Sequence, residues 1–191
     1  LKTLDIWDLK LSKLGALITV IRKSYLEKFT EYAKEVINEI SEGKEQLSIE
    51  YKGFKNLINE SVEIIEKELL ELLKENRKAD FKYRFTTEGA HKDDFILYIN
   101  GLTAKNFCSQ GQQRSCVMSL KLAEAEMLNN AYNEYPIMLF DDVFSELDKI
   151  RKAYITEKIK NRQVIITACE KIDEFKNAKL FKIKNGTVSE Q

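Results

Sequence analysis

Cys108-Ser109-Gln110-Gly111-Gln112-Gln113-Arg114 decides how this chain is read, because a polar, glycine-containing loop turns there into a long helical pattern. From Val117 through Leu120, Ala123, Met127 and Leu128 the apolar residues step by three and four, extending a helix to about Tyr132. A serine hydroxyl, a glycine that admits close backbone approach and the unpaired N–H groups of a helix start together make an anion site, strengthened by the helix dipole. Downstream, Ile137-Met138-Leu139-Phe140 reads as a fully buried parallel strand running into Asp141-Asp142, with Ser145-Glu146-Leu147-Asp148 following at once. Carboxylates at the C-terminal end of such a strand sit where α/β sheets bind ligands.

This order resembles the C-terminal half of an SMC-like ABC ATPase head and, more narrowly, the RecF family of recombination mediators. Residues 109–114 match the signature motif, with Leu120-Lys121-Leu122-Ala123-Glu124 after it; Tyr135-Pro136 leads into the Walker B strand and residues 145–148 match the D-loop. Leu4-Asp5-Ile6-Trp7-Asp8 and Gly89-Ala90-His91-Lys92-Asp93-Asp94 are similar to that family as well. The resemblance implies an α/β fold in two parts. Residues 81–191 would be a partial ABC-type head, a mostly parallel sheet with flanking helices, and residues 1–80 an α-helical lobe with one short strand. It implies a cytoplasmic DNA repair, recombination and replication protein, active in the DNA-damage response, whose ATP-dependent homodimer binds DNA at gaps and single-/double-strand junctions and supports RecA loading with RecO and RecR. ATP and Mg2+ are the implied cofactors. Ser109, Gln110, Gly111 and Gln112 would close in trans on the γ-phosphate held by a second head, with Ser145 and Asp148 of the D-loop beside them. Two other readings are an ATPase head of the SMC-like or overcoming-lysogenisation type, and a non-catalytic assembly module whose helices only bind a partner.

ATP hydrolysis needs a phosphate cradle, a magnesium ion, a group that orients water and stabilisation of transition-state charge. Asp141 suits magnesium, a hard cation that takes oxygen ligands. Asp142 would polarise the attacking water, where most ABC heads carry glutamate. For the pair alone, two solvated carboxylates ending a strand is an equal reading; the signature before them and the D-loop behind them favour chemistry. The cradle is missing, since no G-x-x-x-x-G-K-[ST] occurs and Gly43-Lys44 runs into Glu45. This stretch alone is therefore expected to be inactive, and the chain, which opens at Leu1 already inside the resemblance, is expected to be a fragment. Thr167-Ala168-Cys169 at the switch position offers no donor at Ala168, which predicts slow hydrolysis. Ala90 and Lys92 replace the proline and arginine the family carries in its residue 89–94 loop. A point charge there takes the place of a forked donor.

The bulk composition sets outer bounds. The 191 residues suffice for one sizeable core or two small ones. Thirty-one basic residues balance thirty-one acidic ones, so there is no global electrostatic footprint of a nucleic-acid binder. The three cysteines form no C-x-x-C pair and point to a reducing setting. No apolar run approaches the roughly 18 residues of a membrane helix. The single histidine, His91, reads as a hydrogen-bonded loop residue rather than a metal ligand.

Taken in order, Leu14, Leu17, Ile18, Ile21, Tyr25, Phe29, Ala33, Val36, Ile37 and Ile40 predict one face of a long helix ending near Ser41-Glu42-Gly43. Residues 47–51 predict a strand, and Leu57, Ile58, Val62, Ile65, Leu69, Leu72 and Leu73 a second helix. Residues 81–86 and 95–99 predict strands, and residues 146–160 a helix. Residues 163–168 predict a buried strand, and a hairpin around Asn185-Gly186 closes the chain. Lys23, Lys28, Lys34, Lys44, Lys52 and Lys55 would be candidates for a DNA-facing side, but nothing in the sequence selects them.

Overall fold

The structure, a computed structural model, describes residues 2–53, 61–145, 147–169, 175 and 178–190. Helix α1 (Lys2–Ile40) runs 39 residues without a break and is followed by strand β1 (Leu47–Lys52) and helix α2 (Val62–Tyr83). Strand β2 (Asp94–Ile99) pairs antiparallel with β1, in a register that sets Leu47 against Ile99 and Lys52 against Asp94, and β3 (Leu102–Thr103) pairs antiparallel with β2, giving the order β1-β2-β3. A single turn, α3 (Ala104–Phe107), leads into α4 (Gln110–Tyr132). A β-α-β unit follows, β4 (Met138–Asp141), α5 (Lys149–Ile159) and β5 (Val164–Thr167), its strands paired parallel from Met138↔Val164 to Asp141↔Thr167. Strands β6 (Phe181–Lys184) and β7 (Thr187–Glu190) form the expected hairpin.

The two halves of α1 pack by different rules. Its C-terminal half buries Phe29, Ala33, Val36, Ile37 and Ile40, as the apolar spacing predicts. These join one continuous core with Leu47 and Ile99 of the antiparallel sheet, Met118 and Leu122 of α4, Met138 and Phe140 of β4, and Ile155 and Ile159 of α5. In the N-terminal half the expected stripe is exposed, Leu14 at 58% and Ile21 at 58%. The buried residues there are Asp8, Ser12, Gly15, Ala16 and Thr19. A face of small residues lets α2 come close, and a Cβ added to Gly15 would lie 2.6 Å from Leu69 Cδ2. Arg77 of α2 closes this contact with ion pairs to Asp5 and Asp8. The larger apolar side chains, Trp7 among them, face outward.

Three boundaries differ from expectation. Residues 81–83 continue α2 rather than starting a strand, and Arg84, at φ 62°, caps it with its N–H on Asp80 O at 2.7 Å. The alternation of Phe81, Tyr83 and Phe85 misleads because all three are exposed, so no buried face enforces a strand. The expected lobe–head boundary at residue 80 thus falls inside α2, and β1 from one side of it pairs with β2 from the other. Helix α5 begins at Lys149, because Asp148 stops the chain as its N-cap; Glu146, Leu57 and Ile58 lie outside the described residues. Strand β4 is buried on one face only and the same face of β5 is half-buried, with Leu139 71% and Ile165 57% exposed. The core of this chain lies against the Met138 and Phe140 side alone.

Asp93, just ahead of β2, has a fully buried side chain that accepts bonds from the Tyr51 hydroxyl and from Thr19 Oγ1 at 3.3 Å. Burial, then the Asp93 carboxylate, pushes the Tyr51 phenol up to about 12. A raised phenol stabilises the fold while it is neutral, so this contribution is complete below the ordinary tyrosine value of about 10 and is lost as pH climbs toward 12. Urea unfolding midpoints measured across that window will fall more steeply for the native chain than for Tyr51→Phe; equal slopes would contradict the assignment.

Candidate functional site

The tip of α4 is built by a reciprocal cap. Ser109 takes extended backbone angles (φ −62°, ψ 160°); its Oγ accepts from Gln112 N at 3.3 Å, and Gln112 Oε1 accepts from Ser109 N at 3.0 Å. Gln113 N donates to Ser109 O at 2.9 Å. Helix geometry gives the N–H groups of Gln110 and Gly111 no intrahelical acceptor, and the Ser109 hydroxyl keeps its proton to donate. Gln113 ties the tip back through Nε2 to Cys108 O at 3.1 Å. Ser109 and Gln110 are exposed, while Gly111 and Gln112 are half-buried. Arg114 lines a shallow pocket of about 430 Å³ with Gln110, Gln113, Val117, Met118 and Val143, which sets the signature helix beside the loop that follows the paired carboxylates.

That loop leaves β4 at an exposed Asp141, whose carboxylate accepts a bond from Thr167 Oγ1 on the neighbouring strand. Asp142 turns the chain in the left-handed region at φ 49°, where Asp and Asn are the commonest non-glycine residues. Its N–H points back to Thr167 O at 3.1 Å and Oγ1 at 3.2 Å. Ser145 Oγ donates to Asp142 O at 3.0 Å, and the buried Phe144 and Leu147 pin the loop, Phe144 edge-on to Phe140 with ring centres 6.4 Å apart. Asp148 uses one carboxylate oxygen to cap Arg151 N at 2.9 Å and the other to hold Arg151 Nε at 3.2 Å.

The donor set fits magnesium better than a protein-caged metal. Among the described residues no group of three or more His, Cys, Asp or Glu side chains could hold a metal ion. An exposed carboxylate backed by a hydroxyl, with a second carboxylate on the following residue, suits an ion that keeps waters and phosphate oxygens as its remaining ligands. His91 is a loop residue with its ring Nε2 2.9 Å from Thr86 O. Lys92 of the same loop lies over the Phe85 ring, 4.9 Å from its centre. Burial pushes the Cys116 thiol up to about 11 and raises Cys108, so neither is a ready nucleophile. Of the candidate lysines, Lys34, Lys44 and Lys52 pair with Glu31, Glu42 and Glu50, and Lys55 lies outside the described residues. Lys28 and Lys34 line an open groove of about 1090 Å³ together with Glu31, Glu35 and Glu45, so it is no cationic channel.

Sequence reasoning missed Arg151 and Glu45. The guanidinium of Arg151 reaches Gly111 O at 2.9 Å, Ser115 Oγ and Glu45 Oε1 at 2.7 Å. The Asp148-to-Arg151 spacing of a helix start was the available signal for the first; nothing local marks the second.

No protein-family model matches the chain. It is 40% identical to the DNA replication and repair protein RecF of Clostridium perfringens (strain SM101 / Type A), over 97% of this chain and 51% of that protein. It is 42% identical to the protein of the same name in Clostridium kluyveri, with the same coverage, and 38% identical to that of Clostridioides difficile (strain 630). Two solved structures superpose on it. The recombination mediator protein RecF bound to ATP gives a TM-score of 0.82 at 34% identity, covering 100% of this chain and 51% of that one. The RecF-ATPrS structure of that mediator gives 0.81 at 35%, covering 99% and 50%. The chain spans about half the length of the curated relatives it matches. No helix among the described residues is long and apolar enough to cross a membrane.

The cap at Ser109 has a consequence independent of function. Ser109→Ala removes the acceptor for Gln112 N and should lower the unfolding free energy by about 1 kcal/mol, read by urea titration.

Proposed function

We propose that this chain, which corresponds to the C-terminal half of a RecF protein, supplies the signature tip and the catalytic carboxylates of an ATP-gated DNA-repair ATPase. The observation that carries the reading is the juxtaposition of the capped α4 tip with the Asp141-Asp142 loop in a chain that superposes on ATP-bound RecF over its whole length. Residues 81–191 contribute the head and residues 1–80 the lobe, with α2 and the β1–β2 pairing joining the two across residue 80. Asp141, steadied by Thr167, holds Mg2+, and the metal neutralises phosphate charge when nucleotide is bound. Asp142 orients the attacking water. Ser109 with the N–H groups of Gln110 and Gly111 meets the γ-phosphate held by a second copy, with Gln112 fixing the tip, and Ser145 and Asp148 shape the D-loop between them. ATP thus holds two copies together and hydrolysis parts them.

The phosphate cradle belongs to sequence outside this chain, so the chain alone neither holds ATP tightly nor turns it over. The outward apolar side of α1 and the open Leu139–Ile165 sheet face fit contact with that remaining half of a RecF-length polypeptide. The relatives' name supports a role in DNA replication and repair; beyond it, the family resemblance leads us to infer a cytoplasmic protein acting at DNA gaps with RecO, RecR and RecA.

Two substitutions in the full-length protein test the reading. Ser109→Arg places a bulky cation at the tip and should abolish ATP-dependent dimerisation in sedimentation experiments; undiminished dimerisation would refute the trans contact. Asp142→Asn should keep the ATP dimer and slow single-turnover hydrolysis by about 10²–10⁴-fold, the usual span for losing a proton-accepting group. A rate within a few-fold of the native one would remove Asp142 from the chemistry.

A further inference from the structure

Arg151 stands out among the buried polar groups because one side chain joins three separate parts of the chain. Its side chain is only 14% exposed and that of Glu45 6%. One nitrogen donates to the Gly111 carbonyl in the first turn of α4 and to Ser115 Oγ, one turn on; Ser115 Oγ itself donates to the same carbonyl at 2.8 Å. A second nitrogen holds Glu45 Oε1 in the turn between α1 and β1, and Nε holds Asp148. Glu45 is fixed in turn, its N–H on Ser41 Oγ at 3.0 Å just beyond the end of α1. The second Glu45 oxygen is buried without a partner, so the carboxylate depends on Arg151 for its compensation.

We propose that Arg151 is a positioning residue that locks the signature tip, the D-loop cap and the end of α1 into one rigid piece, so that lobe and tip change orientation together when two heads meet. This rests on the ATPase reading above. The physical basis is the planar fork. Four acceptors in three parts of the chain lie around one guanidinium, and an ammonium, a point charge on a flexible stem, cannot satisfy them in the same directions. Because the Gly111 carbonyl is one of those acceptors, fixing it also fixes the peptide whose neighbouring N–H groups face the phosphate. Misplacing such donors by about 1 Å costs about a hundredfold in a reacting geometry.

The test uses the full-length protein with Arg151→Lys, Glu45→Gln, their double variant and Ser109→Arg as reference. Binding of a fluorescent ATP analogue to the monomer, ATP-dependent dimerisation and thermal melting are measured side by side. Arg151→Lys should leave monomer nucleotide affinity within about twofold and weaken the ATP dimer by about tenfold or more, with Glu45→Gln weaker in the same direction and the double variant less than additive. The inference is overturned by an Arg151→Lys dimer of native affinity, or by dimer loss that merely parallels loss of monomer nucleotide binding and melting temperature. Additive Arg151 and Glu45 effects would also overturn it. If Ser109→Arg itself dimerises normally, the ATPase reading falls and this inference falls with it. If Ser109→Arg fails to dimerise while Arg151→Lys is native, only the present inference is lost.

Discussion

The alternation along β4 is the constraint on which the rest of the site depends. Met138 and Phe140 point into the core at 6% and 5% exposure, so Leu139 and Asp141 must point the other way. A register slip of one residue would drive a carboxylate into the Phe144 cluster and expose two large apolar groups, a change too costly for the strand to sample. The parallel partner β5 then brings Thr167 opposite Asp141, and its hydroxyl meets the carboxylate. Phe144 and Leu147, buried beyond the turn, carry the same pressure forward and deliver Asp148 to the start of α5. Apolar burial thus fixes the position of each polar group, although none of those groups is itself well buried.

Much of this was legible because local rules and tertiary packing agreed. The Ser109-to-Gln112 spacing is a capping box in the sequence and in the structure, and Asn100-Gly101 and Asn185-Gly186 turn with positive φ as such pairs do. Reading failed where pattern and packing part company. Phe81, Tyr83 and Phe85 alternate with no buried face beneath them. In the first half of α1 the eye follows Leu14, Ile18 and Ile21, whereas the contact is made by Ser12, Gly15, Ala16 and Thr19, residues chosen for smallness rather than hydrophobicity. Glu45 and Arg151 could not be paired from the sequence, because they lie 106 positions apart and meet only after α1, α4 and α5 have assembled.

The exposed apolar surface has a consistent geography. Two parts of it lie on the outer side of the first half of α1 and on the Leu139–Ile165 face of the parallel pair, and the internal core reaches neither. A chain that spans half of its relatives' length would be expected to carry such faces, since a parallel sheet is ordinarily covered on both sides. The two-strand sheet is accordingly one margin of a larger one in the proposed reading, and its carboxylates sit at the margin where the rest of the nucleotide machinery would join.

Neutral overall charge sharpens where recognition can lie. Of the six candidate lysines, Lys34, Lys44 and Lys52 pair with glutamates close by in sequence, and an open groove carries Lys28 and Lys34 against Glu31, Glu35 and Glu45. Exposed pairs of this kind contribute little to stability, about 0–1 kcal/mol each, but they cancel the field that would draw a polyanion. In the proposed reading, DNA retention would therefore draw on two copies brought together so that weak patches add across a shared groove, which would make the nucleotide-dependent contact at the α4 tip the step that controls the rest.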